Sequence, residues 1–142
     1  MGHQLRIRTS FSSMSNLETV QGFYAGARAG DPAMITSVMA PQLSWQQTPG
    51  FPHAATYHTP DEVLTGVFAT LAKEWDGFKG VPDEFIDGGD KIVVTGTYSG
   101  TSKATGRSFE APFAHVFTVR DGAIVEMRQF TDTALVNAAW KD

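Results

Sequence analysis

The hydrophobic period changes once along this chain, and that change limits the folds open to it. Up to about Trp75 the apolar residues recur at helical spacing. Leu17, Val20, Phe23, Tyr24 and Ala27 share one face behind Ser15 and Glu18, an S-x-x-E capping box, and Gly30 marks the end of that helix. Asp31-Pro32 opens a shorter helix with Ile35, Val38 and Met39 turned inward, and Pro41 stops it. Leu43 to Gln47 is a short strand candidate, followed by a loop rich in Pro, Gly and His. Thr59 and Glu62 make a second capping box for a helix carrying Val63, Val67, Phe68, Leu71 and Trp75.

Beyond Trp75 the pattern alternates. Residues 78–86, 91–100, 108–120 and 123–131 read as strands separated by the turn signals GGD, SGTSKATG and DG. A short helix is expected from about Thr133 to Trp140. Helices therefore precede a four-strand meander, which is an α+β arrangement. A curved antiparallel sheet wrapped around N-terminal helices would form a cone, and its apolar interior would suit a small molecule.

Composition narrows the function. The 142 residues suit one domain, and 42% hydrophobic content is enough for a core. A net charge of −4 argues against a nucleic-acid or membrane-surface binder, both of which need a basic face. With no cysteine there is no disulfide, thiolate metal site or cysteine nucleophile, which fits a reducing, cytoplasmic setting. No apolar run approaches the roughly 20 residues of a membrane helix. Residues 1–14 carry Arg6 and Arg8 but no acid, and are expected to be a flexible extension to a single domain over 15–142. No HExxH-like cluster, phosphate loop, dinucleotide fingerprint or nucleophile elbow is present, so neither metal nor cofactor is expected.

The element order, with Ala29-Gly30-Asp31 after the first helix and Asp121-Gly122 in the last hairpin, resembles the nuclear transport factor 2-like superfamily. Within it the chain looks most like SnoaL-like and ketosteroid-isomerase-like proteins, over about residues 15–140. One such fold hosts many reactions. The resemblance implies that an isomerase would carry a tyrosine near Phe23 (Tyr24 is the neighbour), a carboxylate base at Gln47 and an acid at Ala114, just before the histidine of Ala111-Pro112-Phe113-Ala114-His115. An epoxide hydrolase would carry charged groups at Gly96, Tyr98 and Gln129, with water held at Trp45 and Gln47. The acid, base and charged roles are vacant here, because a glutamine cannot take a proton at neutral pH and neither Phe nor Ala can donate one, while polar groups remain. What the resemblance leaves is a polar, uncharged set, Gln47, Tyr98 and Gln129. Trp45, Phe23, Phe68, Ala114 and Met127 are expected to line the same pocket. The implied ligand is a small, mostly neutral, hydrophobic or polyketide-like molecule.

Three titratable residues remain as catalytic candidates, Glu84, His115 and Asp132, besides His53 and His58 on the loop. A two-residue turn at Asp121-Gly122 sets Ala114 opposite Gln129 and Val116 opposite Met127. On that register Ala114 and Val116 face the pocket, while Phe113, His115 and Phe117 face away. The outward face is then too aromatic for bare solvent, and a homodimer partner is expected to cover it, with His115 at the interface near Glu126 or Arg128. A three-residue turn with a bulge would move His115 beside Met127 instead. Asp132 is expected to cap the last helix. Glu84 lies on a strand whose inward face the sequence does not fix.

Overall fold

The computed structural model describes residues 14–142; most of the expected N-terminal extension lies outside the described residues. Helix α1 (Asn16–Ala29) starts on the capping box. The Ser15 hydroxyl accepts from the Glu18 amide at 3.1 Å, and the Glu18 carboxylate accepts from the Ser15 amide at 2.9 Å. Gly30 ends it in the left-handed conformation at φ 65°, which costs glycine nothing. Helix α2 (Pro32–Ser37) is capped by Asp31, and strand β1 (Met39–Gln46) follows almost at once. Pro41 thus falls inside a strand rather than merely stopping a helix.

After a two-residue strand β2 (Thr56–Tyr57), helix α3 runs as an α-turn (Pro60–Val63), a π-helical turn (Leu64–Phe68) and a final α-stretch (Ala69–Glu74). Thr59 caps it, but Glu62 reaches back to the amide of His58 at 2.7 Å rather than to that of Thr59. Trp75, read from the sequence as the last helical residue, instead begins β3 (Trp75–Asp87). Strands β4 (Lys91–Ser102), β5 (Ser108–Arg120) and β6 (Ala123–Thr131) complete the meander, and Asp132 caps α4 (Thr133–Trp140).

The six strands form one open sheet in the order β2-β1-β6-β5-β4-β3. All neighbours are antiparallel except β1 and β6, which run parallel. Register shifts in β3, in the β5–β6 pair and between β1 and β6 mark bulges, which bend the sheet. The helices pack on the concave face. Phe23 and Tyr24 of α1 meet Trp45, Phe117 and Phe85 across it. No described helix is long and apolar enough to cross a membrane.

The β5–β6 hairpin fixes which side chains enter the core. Asp121 and Gly122 take φ of 53° and 79°, and Arg120 pairs with Ala123, as a two-residue turn requires. Val119 then pairs with Ile124, but Thr118 pairs with Glu126, leaving Val125 as an extra residue. Beyond this bulge His115 stands opposite Gln129 and Phe117 opposite Met127. The expected facing is therefore reversed on β5. Phe113, His115 and Phe117 are buried, while Ala114 and Val116 face the outer side.

Candidate functional site

Burial of His115 creates the main polar feature of the core. Its Nδ1 lies 2.5 Å from the Tyr24 hydroxyl, and its Nε2 lies 2.5 Å from the Tyr98 hydroxyl. Gln129 Nε2 donates to the Tyr98 oxygen at 2.9 Å, and Gln129 Oε1 accepts from the Thr48 amide at 2.9 Å. The chain Tyr24–His115–Tyr98–Gln129 thus ties α1, β5, β4 and β6 together. Phe113 stacks on the imidazole at 4.2 Å between centroids, and the Tyr24 ring lies nearly parallel to it, 5.9 Å away along the hydrogen bond. Phe113 can lie there because Gly96 has no side chain. A Cβ at Gly96 would meet Phe113 Cζ at 2.5 Å and the Val81 carbonyl oxygen at 2.2 Å.

Burial sets the protonation of this chain. It pushes the His115 imidazole down to about 3, so the ring is neutral near pH 7. It holds Tyr98 well above the usual phenol range, against the lowering effect of the Gln129 hydrogen bond. Burial also raises Tyr24, with the charge that Tyr98 would carry as a second cause. A neutral imidazole has one donor and one acceptor. Its two bonds therefore use one ring N–H and one phenolic O–H, and the other phenol keeps a proton with no acceptor in the chain. The imidazole tautomer decides which tyrosine holds that spare donor.

This geometry corrects three expectations. His115 is a core residue, 7% exposed, and not a residue of an outer interface. Glu84 is exposed on β3 with Thr95 Oγ1 at 3.4 Å, so it is not a buried base beside Tyr98. The cone interior is not an open cavity, since rings fill it: Phe23, Trp45, Phe51, Tyr98, Phe113 and Phe117 are all at most 6% exposed. Asp132, in contrast, accepts from the Leu135 amide at 3.2 Å, as a helix cap should.

The other expected residues fall in three places. Phe23, Trp45, Tyr98 and Met127 are buried, and Phe68 packs against the same core. Ala114 pairs with Phe130 on the outer side of the sheet. Gln47 and Gln129 line a half-open groove of about 320 Å³ between the end of β1, the loop after it and β6. Thr48, Pro49, Ala54 and Ala55 form the loop wall of this groove, and Arg128 and Phe130 form the other side. Beside it, His53 adopts φ 58° and binds Glu74 through Nε2 at 2.9 Å, while Trp140 Nε1 donates to the same carboxylate at 3.1 Å. This cluster pins the loop to the end of α3 and to α4. His58 lies outside the groove. Among the described residues no three His, Asp or Glu gather as a metal site would require.

The sequence reading missed Tyr24 as a partner of His115. It set Tyr24 beside the expected tyrosine position and turned the histidine outward. The available signal was its own outward set of Phe113, His115, Phe117 and Val119, a more costly group to expose than Ala114, Val116 and Thr118.

A curved sheet wrapped over helices, with a buried histidine between two tyrosines, defines a cone-shaped α+β protein. The SnoaL-like domain family matches residues 20–127, and the chain belongs to that family. It is similar to a nuclear transport factor 2-like protein of Burkholderia thailandensis at 42% identity, over 89% of this chain and 97% of that one, with TM-score 0.87. A second such protein, of unknown function, from Burkholderia pseudomallei is 30% identical over 89% and 98% of the two chains, with TM-score 0.80. TerC, crystallised with polyporic acid, is 28% identical over 87% and 96%, with TM-score 0.79. Comparison with curated proteins gives no match.

Proposed function

We propose that this protein binds a small, mostly neutral, hydrophobic molecule and carries out neither ketosteroid-isomerase nor epoxide-hydrolase chemistry. The groove between the end of β1, the following loop and β6 carries this reading. Its volume of about 320 Å³ suits a compact ring compound, and no carboxylate lines it. Pro49, Ala54, Ala55 and Phe130 supply apolar surface to it. TerC, a relative over most of the chain, was crystallised with polyporic acid, which supports a small-molecule role for this branch of the fold. The positions expected to hold family acids are Gln47 and Ala114, and the inward neighbour of Ala114 is a neutral histidine.

The experiment is calorimetric titration with a panel of bicyclic hydrocarbons, ketones and epoxides, with turnover followed by chromatography. Saturable binding without turnover is the expected result. Catalysed epoxide opening or double-bond migration would overturn the reading, and so would a failure of every probe to bind. Acid–base chemistry retains one candidate, His115, because Glu84 is exposed, Asp132 caps a helix and His53 binds Glu74. If His115 serves such a reaction, its Nε2 acts through the Tyr98 hydroxyl.

We further propose a homodimer through the outer face of the sheet. The registers line up Arg128, Val116, Val93 and Ile86 in one row, and Phe130, Ala114, Thr95 and Glu84 in the next. Phe130 and Ile86 are 43% and 47% exposed, a large apolar area for a free surface. Arg128 and Glu84 mark opposite edges of this face. A two-fold axis along the strands brings each beside the other in the second copy.

A further inference from the structure

One short loop walls the groove on one side and plugs the core on the other. Thr48, Pro49, Ala54 and Ala55 line the groove. Between them Phe51 turns inward and is 4% exposed, although Pro49, Gly50 and His53 around it are exposed. Its ring lies 6.0 Å from that of Tyr98 and 6.3 Å from that of Phe78, between centroids. Phe51 therefore packs against one phenol of the buried hydrogen-bond chain.

The loop is held in a way that suits release. The Gln47 amide donates to the Ala55 carbonyl and joins its two ends. Within residues 48–54 the backbone–backbone bonds among the described residues are internal, from the Phe51 amide to the Thr48 carbonyl and from the Ala54 amide to the Phe51 carbonyl. The outward bonds use side chains. Asn137 Nδ2 donates to the Gly50 carbonyl at 2.6 Å, and the Tyr57 hydroxyl donates to the His53 carbonyl at 2.9 Å. Gln129 accepts from the Thr48 amide. His53 Nε2 donates to the Glu74 carboxylate, whose oxygens lie at 2.9 and 3.0 Å. All but the Gln129 bond are exposed, so water competes for them. A short loop with joined ends, one buried ring and side-chain ties can open without the sheet.

Backbone strain points the same way. His53 holds φ 58°, a left-handed conformation that is unfavourable with a Cβ, and the Glu74 contact fixes it there. Opposite the loop, α3 makes its π-helical turn, and Gly66 and Val67 of that turn border a crevice with Phe51 and His53. Gln47 borders both this crevice and the groove. Movement of the loop joins the two.

We propose that residues 48–54 form a lid hinged at the Gln47–Ala55 joint, with Phe51 as its plug and the His53–Glu74 contact as its latch. Opening draws the Phe51 ring off Tyr98 and extends the groove into the space that the ring leaves. The purpose of the opening rests on the ligand-binding reading above, whereas the opening itself is tested without ligand.

Amide hydrogen exchange by NMR on the full chain tests the lid. The Thr48, Phe51 and Ala54 amides should exchange at least about 100-fold faster than the slowest amides of β4 and β5, and with little dependence on low urea. His53→Ala removes the latch and keeps the strain, so loop exchange should rise about tenfold further. His53→Gly should give a smaller rise, because glycine holds this φ without strain. Phe51→Cys supplies a second readout, since the chain has no other cysteine. Its thiol should react with Ellman's reagent faster than that variant's global unfolding allows, whereas a thiol placed by Val20→Cys should not. Loop amides and thiol that react only on global unfolding would overturn the lid. Loop exchange unchanged by His53→Ala would overturn the latch. Saturating tetralin should raise loop exchange by favouring the open state. Calorimetric binding of tetralin with loop exchange unchanged would overturn the link between lid and groove. Failure of tetralin to bind would count against the ligand-binding reading, with the lid still decided by exchange in the free protein.

Discussion

At the scale of single residues, His115 organises the core's polar chemistry. Two phenols and an imidazole are affordable inside because each has a partner, and removing one partner strands the others. His115→Phe keeps a ring of similar shape but leaves Tyr24 and Tyr98 without their shared acceptor and donor. We expect a loss of roughly 2–4 kcal/mol in urea denaturation, from two buried hydroxyls at about 1–2 kcal/mol each. Adding Tyr98→Phe to that variant should cost less than it does in the unmodified protein, because the bond it removes is already gone. Additive costs in the double variant would show that the three groups do not act as a chain.

The same residue predicts a pH dependence. The folded imidazole titrates at about 3, and the unfolded one at its ordinary value of roughly 6.5. Above about 6.5 both states are neutral at this group, and it leaves stability unchanged. Between about 6.5 and about 3 the unfolded chain binds a proton that the folded one refuses, so stability falls as pH falls. The slope from this one group approaches about 1.4 kcal/mol per pH unit inside that window. Urea midpoints from pH 7.5 to 4.5 should show this slope, and His115→Phe should remove it from the difference between the two proteins. An identical slope in both would mean that His115 reaches solvent or is charged when folded.

At the scale of elements, caps and close approaches decide the joints. Asp132 accepts the Leu135 amide at the start of α4, and Asp132→Ala should cost about 1 kcal/mol by thermal or chemical denaturation, with ligand binding unchanged. Gly96 serves a different purpose. Its missing Cβ admits Phe113 and lets β3 approach, so Gly96→Ala forces a methyl within 2.2 Å of the Val81 carbonyl. We expect roughly 1–3 kcal/mol of destabilisation by urea denaturation. Phe113→Leu should not rescue it, because the nearer obstacle is backbone. Full rescue would locate the constraint in the ring alone.

The β5–β6 hairpin shows why an element can be read correctly and still be faced wrongly. Turn and strands were legible, since Asp121-Gly122 is strong turn chemistry and the flanking runs are long and β-rich. The bulge at Val125 was not. A valine that leaves the ladder looks like a valine that stays in it, and one slipped residue turns every side chain beyond it to the opposite face. Packing made the choice. With the bulge, Phe113, His115 and Phe117 join Met127 and Gln129 inside. Without it, Ala114 and Val116 would enter and two phenylalanines would face out, at about 25 cal/mol for each Å² of apolar surface left in water.

At the scale of the whole molecule, the sheet has two faces with different needs. The concave face is closed by α1, α3 and a layer of rings. The outer face presents Val116, Ala114 and Phe130 between the edge charges of Glu84 and Arg128. A dimer through this face predicts that Val116→Arg yields monomers by light scattering at micromolar concentration, while the unmodified chain runs as a dimer. An unmodified chain that runs as a monomer at tens of micromolar would reject the interface.

The sequence by itself determined the order of elements, the four capped helix starts at Ser15, Asp31, Thr59 and Asp132, the last turn and the α+β class. Each of these depends on residues a few positions apart, where spacing and side-chain chemistry act directly. Only the tertiary structure decided that β1 lies parallel to β6, that Val125 bulges, that His115 sits between Tyr24 and Tyr98, and that rings fill the cone and leave the groove at Gln47 and Gln129. Those outcomes join residues up to 91 positions apart, as Tyr24 and His115 are. They follow from which set of side chains fills the shared interior best, a comparison that exists only once the whole sheet has closed over its helices.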